Sequence, residues 1–181
     1  MLEVSSFYKG VQLVSPTGMT SAENDEWVIS ASSVYVNDPA TYGPYNAFSG
    51  SDTETYGWIP GDYAPHTTFP HWIKWQNKNT KSKITEYAMQ VNGWVEISNR
   101  ERFPGSWVLQ GSNDGVSWVT VDDRTNEITD YSKLETFKYY NFMCQNPDYY
   151  YYYRLYISAA AKSSEPNFVY IGQIKAYGQF E

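Results

Sequence analysis

The chain has 181 residues, 41% of them hydrophobic, which suits one domain with a real core. Its formal net charge of −7 argues against nucleic acid and an anionic membrane surface as partners, because neither phosphate neutralisation nor lipid docking suits an acidic chain. The 18 Tyr, 7 Trp and 8 Phe favour strands and recognition surfaces, where flat rings pack well and offer polar tips.

The first residues, MLEVSSFYKGVQLV, lack the basic start and apolar stretch of a signal peptide, and no segment approaches the roughly 20 apolar residues of a membrane span. Residues 1–26 read as a lead-in and 27–181 as the folded domain. Within the domain, apolar runs recur at 27–36, 71–76, 84–95, 106–112, 116–121, 135–142, 149–158 and 168–178. Turn-formers such as NDPATYGP, PGDYAP, SNDG and QNPD separate them. Many short strands with such punctuation predict an all-β sandwich or barrel, and no window holds a helical stripe over three turns.

The stretch 104–121, PGSWVLQGSNDGVSWVTV, predicts a hairpin turning at Asn113-Asp114-Gly115, since Gly takes positive φ at little cost and Asp tolerates the left-handed region. The bend reads as structural rather than as a carboxylate site. In the tyrosine run, period two sends Tyr149, Tyr151, Tyr153, Leu155 and Ile157 to one face, expected to be the core. The lone Cys144 forms no internal disulfide and reads as a small buried hydrophobe. His66 and His71 stand in no metal-ligand spacing, and no G-x-S-x-G or P-loop occurs. A hydrolase reading therefore has no positive support.

At the hairpin a family likeness emerges. WVLQGSNDGVSWVTVDDRT (107–125) resembles the central motif of the discoidin family, also called coagulation factor 5/8 type C domains, which includes the family 32 carbohydrate-binding modules. Three further stretches agree in order: ISASSVYV (29–36), YNAFSGSDTETYGW (45–58), and YYYRLYIS (151–158) with YIGQIKAYG (170–178). The resemblance spans roughly 27–178 and implies a discoidin-like β-sandwich (jelly roll) that binds ligands with loops at one end and has no catalysis of its own. It also implies that Trp118 lies in the core. SPTGMTSAENDEWVISASS (15–33) is similar to the lead-in of such domains in phage tail and tail-fibre proteins. That likeness implies an extracellular or virion-surface location, with tail or adhesin subunits as further partners.

Many members hold a structural Ca²⁺ in the loop matching 45–58. Here the first Asp position is Ser49, Asp52 is displaced by about one residue, Thr55 fits after one insertion, and the Glu position is Gln173. Calcium sites want several carboxylates. The resemblance thus implies a degraded Ca²⁺ site at Ser49, Asp52 and Thr55 and no required cofactor; the competing reading is a polar turn closed by its own hydrogen bonds.

For a glycan or surface polysaccharide, an aromatic ring stacks on the sugar's C–H face while directional donors and acceptors take its hydroxyls. By position, the resemblance implies Glu96, Asn99, Arg100 and Arg102 as hydrogen-bonding residues with Trp94 as a platform, Asn167 and Phe168 before the last strand, and Tyr63 and His66 in the 57–71 loop. Trp58 in that loop is better suited to the core. Three readings stay open: a glycan-binding part of a phage tail or fibre, a free-standing bacterial lectin-like domain, and a structural or protein-docking module. Phospholipid binding, as in the blood-clotting relatives, fits the negative charge poorly.

Overall fold

The computed structural model describes residues 11–53, 57–61, 68–93, 98–162 and 168–181. Ten strands form two antiparallel sheets. In chain order they are β1 (Gln12–Leu13), β2 (Trp27–Ala31), β3 (His71–Asn77), β4 (Ser82–Gln90), β5 (Pro104–Ser112), β6 (Val119–Arg124), β7 (Tyr139–Met143), β8 (Tyr149–Tyr150), β9 (Tyr152–Ala160) and β10 (Ile174–Phe180). One sheet runs β1-β10-β4-β7, with β8 beside β7 on the same edge of β4; the other runs β2-β3-β9-β5-β6. Among the described residues helix is confined to short turns, including α1 (Pro39–Tyr42) and α2 (Ser98–Glu101). The expected sandwich is the observed fold.

Alternation explains the packing. Strand β3 buries His71, Ile73, Trp75 and Asn77 and leaves Trp72, Lys74 and Gln76 half-buried on the other face. Strand β9 does the same with Tyr153, Leu155 and Ile157 against Tyr152, Arg154 and Tyr156. The rings of Trp75 and Tyr153 stack between the sheets, and Trp107 meets Phe142 edge to face. Trp107 is 1% exposed, and its Nε1 donates to the Tyr87 hydroxyl at 2.8 Å. That hydroxyl donates to Asp122 Oδ2 at 2.7 Å, and Arg124 Nε donates to the same oxygen at 2.7 Å. Trp107 Nε1, the Tyr87 hydroxyl and Asp122 Oδ2 are thereby partnered inside an otherwise apolar layer, while Asp122 Oδ1 accepts from no described residue.

Four expectations need correction. Residues 11–26, read as a lead-in, are built into the sandwich: β1 pairs with β10, and Val14 and Met19 are buried in the core. The run 27–36 is a strand only to Ala31; the chain then bends away into the turn Tyr35–Asn37. The tyrosine run breaks phase at Tyr151, because β8 pairs with β4 in one sheet and β9 with β3 and β5 in the other. The chain changes sheets there, so Tyr150 and Tyr153 are both buried, while Tyr149 and Tyr151 are not. A Cβ at Gly111 would collide with the Tyr150 ring, so the glycine permits this crossing. Trp118, expected in the core, is half-buried on the outer face with the Arg154 guanidinium 4.1 Å from its ring. The reason is that 113–118 forms a wide turn and β6 begins only at Val119.

The turn itself is structural, as expected. Asp114 Oδ1 accepts from the backbone N–H of Val116 and Ser117 at 2.8 and 2.7 Å, and Gly115 has φ +73°. These bonds hold the Asp114 carboxyl well below the usual range. Cys144 is half-buried against the core, and desolvation pushes its thiol up to about 12, so it behaves as a hydrophobe rather than a nucleophile.

Candidate functional site

At one end of the sandwich, backbone hydrogen bonds clamp five segments together. Tyr35 N–H donates to Ile59 O, and Ile59 N–H to Tyr42 O. Trp58 and Ile171 exchange hydrogen bonds, and the carbonyls of Arg102 and Phe103 accept from the N–H groups of Tyr170 and Ala161 respectively. A salt bridge of 2.8 Å from Lys162 to Glu101 ties α2 to the chain after β9.

This clamp gathers Tyr35, Tyr42, Arg102, Phe168 and Tyr170. The Arg102 guanidinium lies 5.0 Å from the Phe168 ring centre and 5.1 Å from that of Tyr170, and its Nη1 donates to the Tyr170 hydroxyl at 2.6 Å. Tyr35 meets Phe168 edge-on at 6.1 Å and Tyr42 at 5.2 Å. All but Tyr170 are half-buried. Such a group combines ring faces with a planar set of N–H donors, the chemistry that a polyhydroxylated ring requires. Val36 and Asn37, next to Tyr35, take φ +47° and +54°. For a β-branched residue this backbone costs about 1–3 kcal/mol, and strain of this kind collects at ligand clamps.

Of the residues singled out from the sequence, the structure brings Arg102 and Phe168 together. Arg100 is directed elsewhere: its Nη1 donates to the Leu134 carbonyl at 3.3 Å. The two arginines diverge, as expected, but from the end of a helix rather than from an extended loop. Trp58 is fully buried, with Nε1 donating to Ser33 O. Trp94, Glu96, Tyr63, His66, Asn167 and Thr55 lie outside the described residues, as does the side chain of Asn99. Tyr35, Tyr42 and Tyr170 were missed. The Pro- and Gly-rich turn flanking Tyr42 was the only hint, since these rings converge from two distant segments.

The loop that would hold calcium is closed by the protein itself. Gln173 is 1% exposed, and its Nε2 donates to Asn46 O at 2.6 Å, Ser49 Oγ at 3.1 Å and Gly172 O at 2.9 Å. Its Oε1 accepts from Gly50 N–H at 3.0 Å. The amide thus places donor hydrogens where a cation would draw on those same oxygens. Asp52 is taken as well: its Oδ1 accepts from Lys175 Nζ at 2.7 Å and from the Tyr139 hydroxyl at 2.8 Å, which lowers its pKa. The described residues here do not fit a calcium ion, which needs oxygens free of donors.

No family model matches this sequence, and no curated protein matches it. Solved structures do. A putative chitobiase fragment from Bacteroides thetaiotaomicron superposes with a TM-score of 0.67 at 11% identity, over 99% of this chain and 98% of its own. An F5/8 type C domain from Bacteroides fragilis gives 0.61 at 17%, over 84% and 91%. The family 32 carbohydrate-binding module of Clostridium perfringens NanJ, solved with galactose, gives 0.59 at 14%, over 83% and 93%. At these identities the likeness is one of fold: this chain has the discoidin-like sandwich of F5/8 type C domains and family 32 modules.

Proposed function

We propose that this protein is a non-catalytic carbohydrate-binding module whose site is the Tyr35–Tyr42–Arg102–Phe168–Tyr170 cluster. The observation that carries the reading is the Arg102 guanidinium held against two rings at a loop end of the sandwich. Modules of the same fold, such as that of Clostridium perfringens NanJ in complex with galactose, make a sugar the natural ligand class. The finer reading is adhesion to host-surface glycans as part of a phage tail or fibre, on the virion surface; it rests on the likeness of 15–33 to lead-ins of such proteins.

The test is a glycan array on the full chain, followed by calorimetry with Arg102→Ala, Phe168→Ala and Arg100→Ala. A charged hydrogen bond contributes about 1.5–3 kcal/mol, so Arg102→Ala should weaken binding roughly ten- to a hundredfold. Phe168→Ala should do comparable damage, and Arg100→Ala should bind like wild type. A protein that binds no glycan in a broad screen would sink the reading in favour of a protein-docking module; glycan binding left at wild-type strength by all three variants would sink the assignment of the site to this cluster.

A further inference from the structure

The outer face of the sheet β2-β3-β9-β5-β6 carries a second arrangement of rings and cations, on residues distinct from those of the loop-end cluster. Cross-strand register sets Ser30 beside Lys74, Lys74 beside Arg154, Arg154 beside Gln110 and Gln110 beside Thr120. One polar row of hydroxyl, ammonium, guanidinium, amide and hydroxyl therefore crosses five strands, about 19 Å at the usual strand spacing. The next row sets Trp72 beside Tyr156 and Tyr156 beside Val108, and Trp118 folds over from the 113–118 turn.

Lys74 and Arg154 have no salt bridge among the described residues, although the chain carries a net charge of −7. Arg154 is oriented by its own Nε, which donates to Gln110 Oε1 at 2.7 Å. Its plane is held 4.1 Å from the Trp118 ring centre and 5.2 Å from that of Tyr156. The terminal nitrogens have no acceptor among the described residues and present up to four N–H donors. Lys74 Nζ stands 5.7 Å from the Trp72 ring centre and donates to no described residue. The nearest carboxylate by register, Asp123, lies opposite Val108 in the neighbouring row and accepts from the backbone and hydroxyl of Thr125.

A pre-oriented, partly desolvated guanidinium beside a lysine, flanked by ring faces, matches a ligand that offers both apolar C–H faces and a fixed anion. We propose that this face is a second glycan site, specific for carboxylate-bearing polysaccharides lying across the strands, with Arg154 and Lys74 taking the carboxylate and Trp72, Tyr156 and Trp118 stacking on the sugar rings. The site stands independently of the loop-end cluster.

The experiment titrates the full chain with polygalacturonate, alginate, hyaluronan and polysialic acid, with fully methyl-esterified polygalacturonate as the uncharged control. Binding to at least one acidic glycan is expected, lost on esterification where polygalacturonate is the ligand. The double variant Lys74→Gln/Arg154→Gln should weaken it about ten- to a hundredfold with a wild-type melt. Trp118→Ala should weaken it several-fold. Arg102→Ala should leave it unchanged, which separates this site from the loop-end one. No binding to any of the four, binding indifferent to the double variant, or equal binding of dextran sulfate and single-stranded DNA would overturn the proposal; the last outcome would mean mere attraction of polyanions.

Discussion

The two faces of the sheet β2-β3-β9-β5-β6 use the same residue types to opposite ends. Inside, Trp107, Tyr87, Asp122 and Arg124 form a network converging on Asp122 Oδ2, in which the charged groups meet each other. Outside, Trp72, Trp118, Tyr156, Lys74 and Arg154 assemble rings and cations with no carboxylate among the described residues to complete them. Burial explains the difference. A charge sealed between sheets must be paired, because an unpaired one costs far more than folding can offset. A half-exposed charge can stay hydrated until a ligand arrives.

The sharpest way to break this comparison is to truncate one tryptophan from each face. Trp107→Ala should cost about 3–5 kcal/mol in a denaturant melt, as for other buried aromatics. Trp118→Ala should cost less than about 1.5 kcal/mol, since it loses one cation–π contact and partial burial. Equal losses would show that the faces do not differ in role. Next in size, Tyr87→Phe should destabilise by about 1–3 kcal/mol, because it leaves the Trp107 Nε1 and Asp122 Oδ2 each short of a partner in a dry setting. A melt unchanged by that variant would mean that the inner network is not connected as described.

The Gln173 clamp extends the same logic to the other sheet. Gln173→Glu replaces a donor by an acceptor facing Asn46 O and Ser49 Oγ, and should cost about 1–3 kcal/mol in chelator. Calcium should restore part of that loss in the variant and leave the wild-type melt unmoved, since only a folded state that binds the ion gains from it. A wild-type melt that falls on chelation and recovers with calcium would overturn the clamp. The smallest effect concerns Asp52, an exposed partner. Its folded pKa is lowered, chiefly by the Lys175 hydrogen bond and then by Tyr139. The linked stability is therefore present above the ordinary carboxylate value of about 3.9 and lost as pH falls through the folded value. Asp52→Asn should lose no more than about 0.5 kcal/mol at pH 7, as for exposed ion pairs, and should show a flatter decline below about pH 4. An acid limb identical to wild type would mean that the pair is absent in solution.

Much of this was legible beforehand. The strand runs, the Asp-Gly turn and the neutral residues at Ser49 and Gln173 are local features, and local chemistry decides them. Arg102 and Phe168 were within reach because each sits in a loop that the family likeness marks. Tyr35, Tyr42 and Tyr170 were not, since nothing in their neighbourhoods says that two separate segments are tied at Ile59 and Arg102. Trp118 was misplaced because the family likeness set it on the returning strand, whereas that strand begins only at Val119.

What the sequence alone determined is the class of fold, its punctuation and the neutral side chains at Ser49 and Gln173, for each depends on residue identity within a short window. What the tertiary structure alone decided is phase and partnership. The chain changes sheets at Tyr151 because β8 pairs with β4 while β9 lies between β3 and β5, and that shift alone makes both Tyr150 and Tyr153 core residues. Lys74, Arg154 and Gln110 become neighbours only through strand register, which is set by the burial of every alternate side chain across a whole sheet rather than by any residue near them.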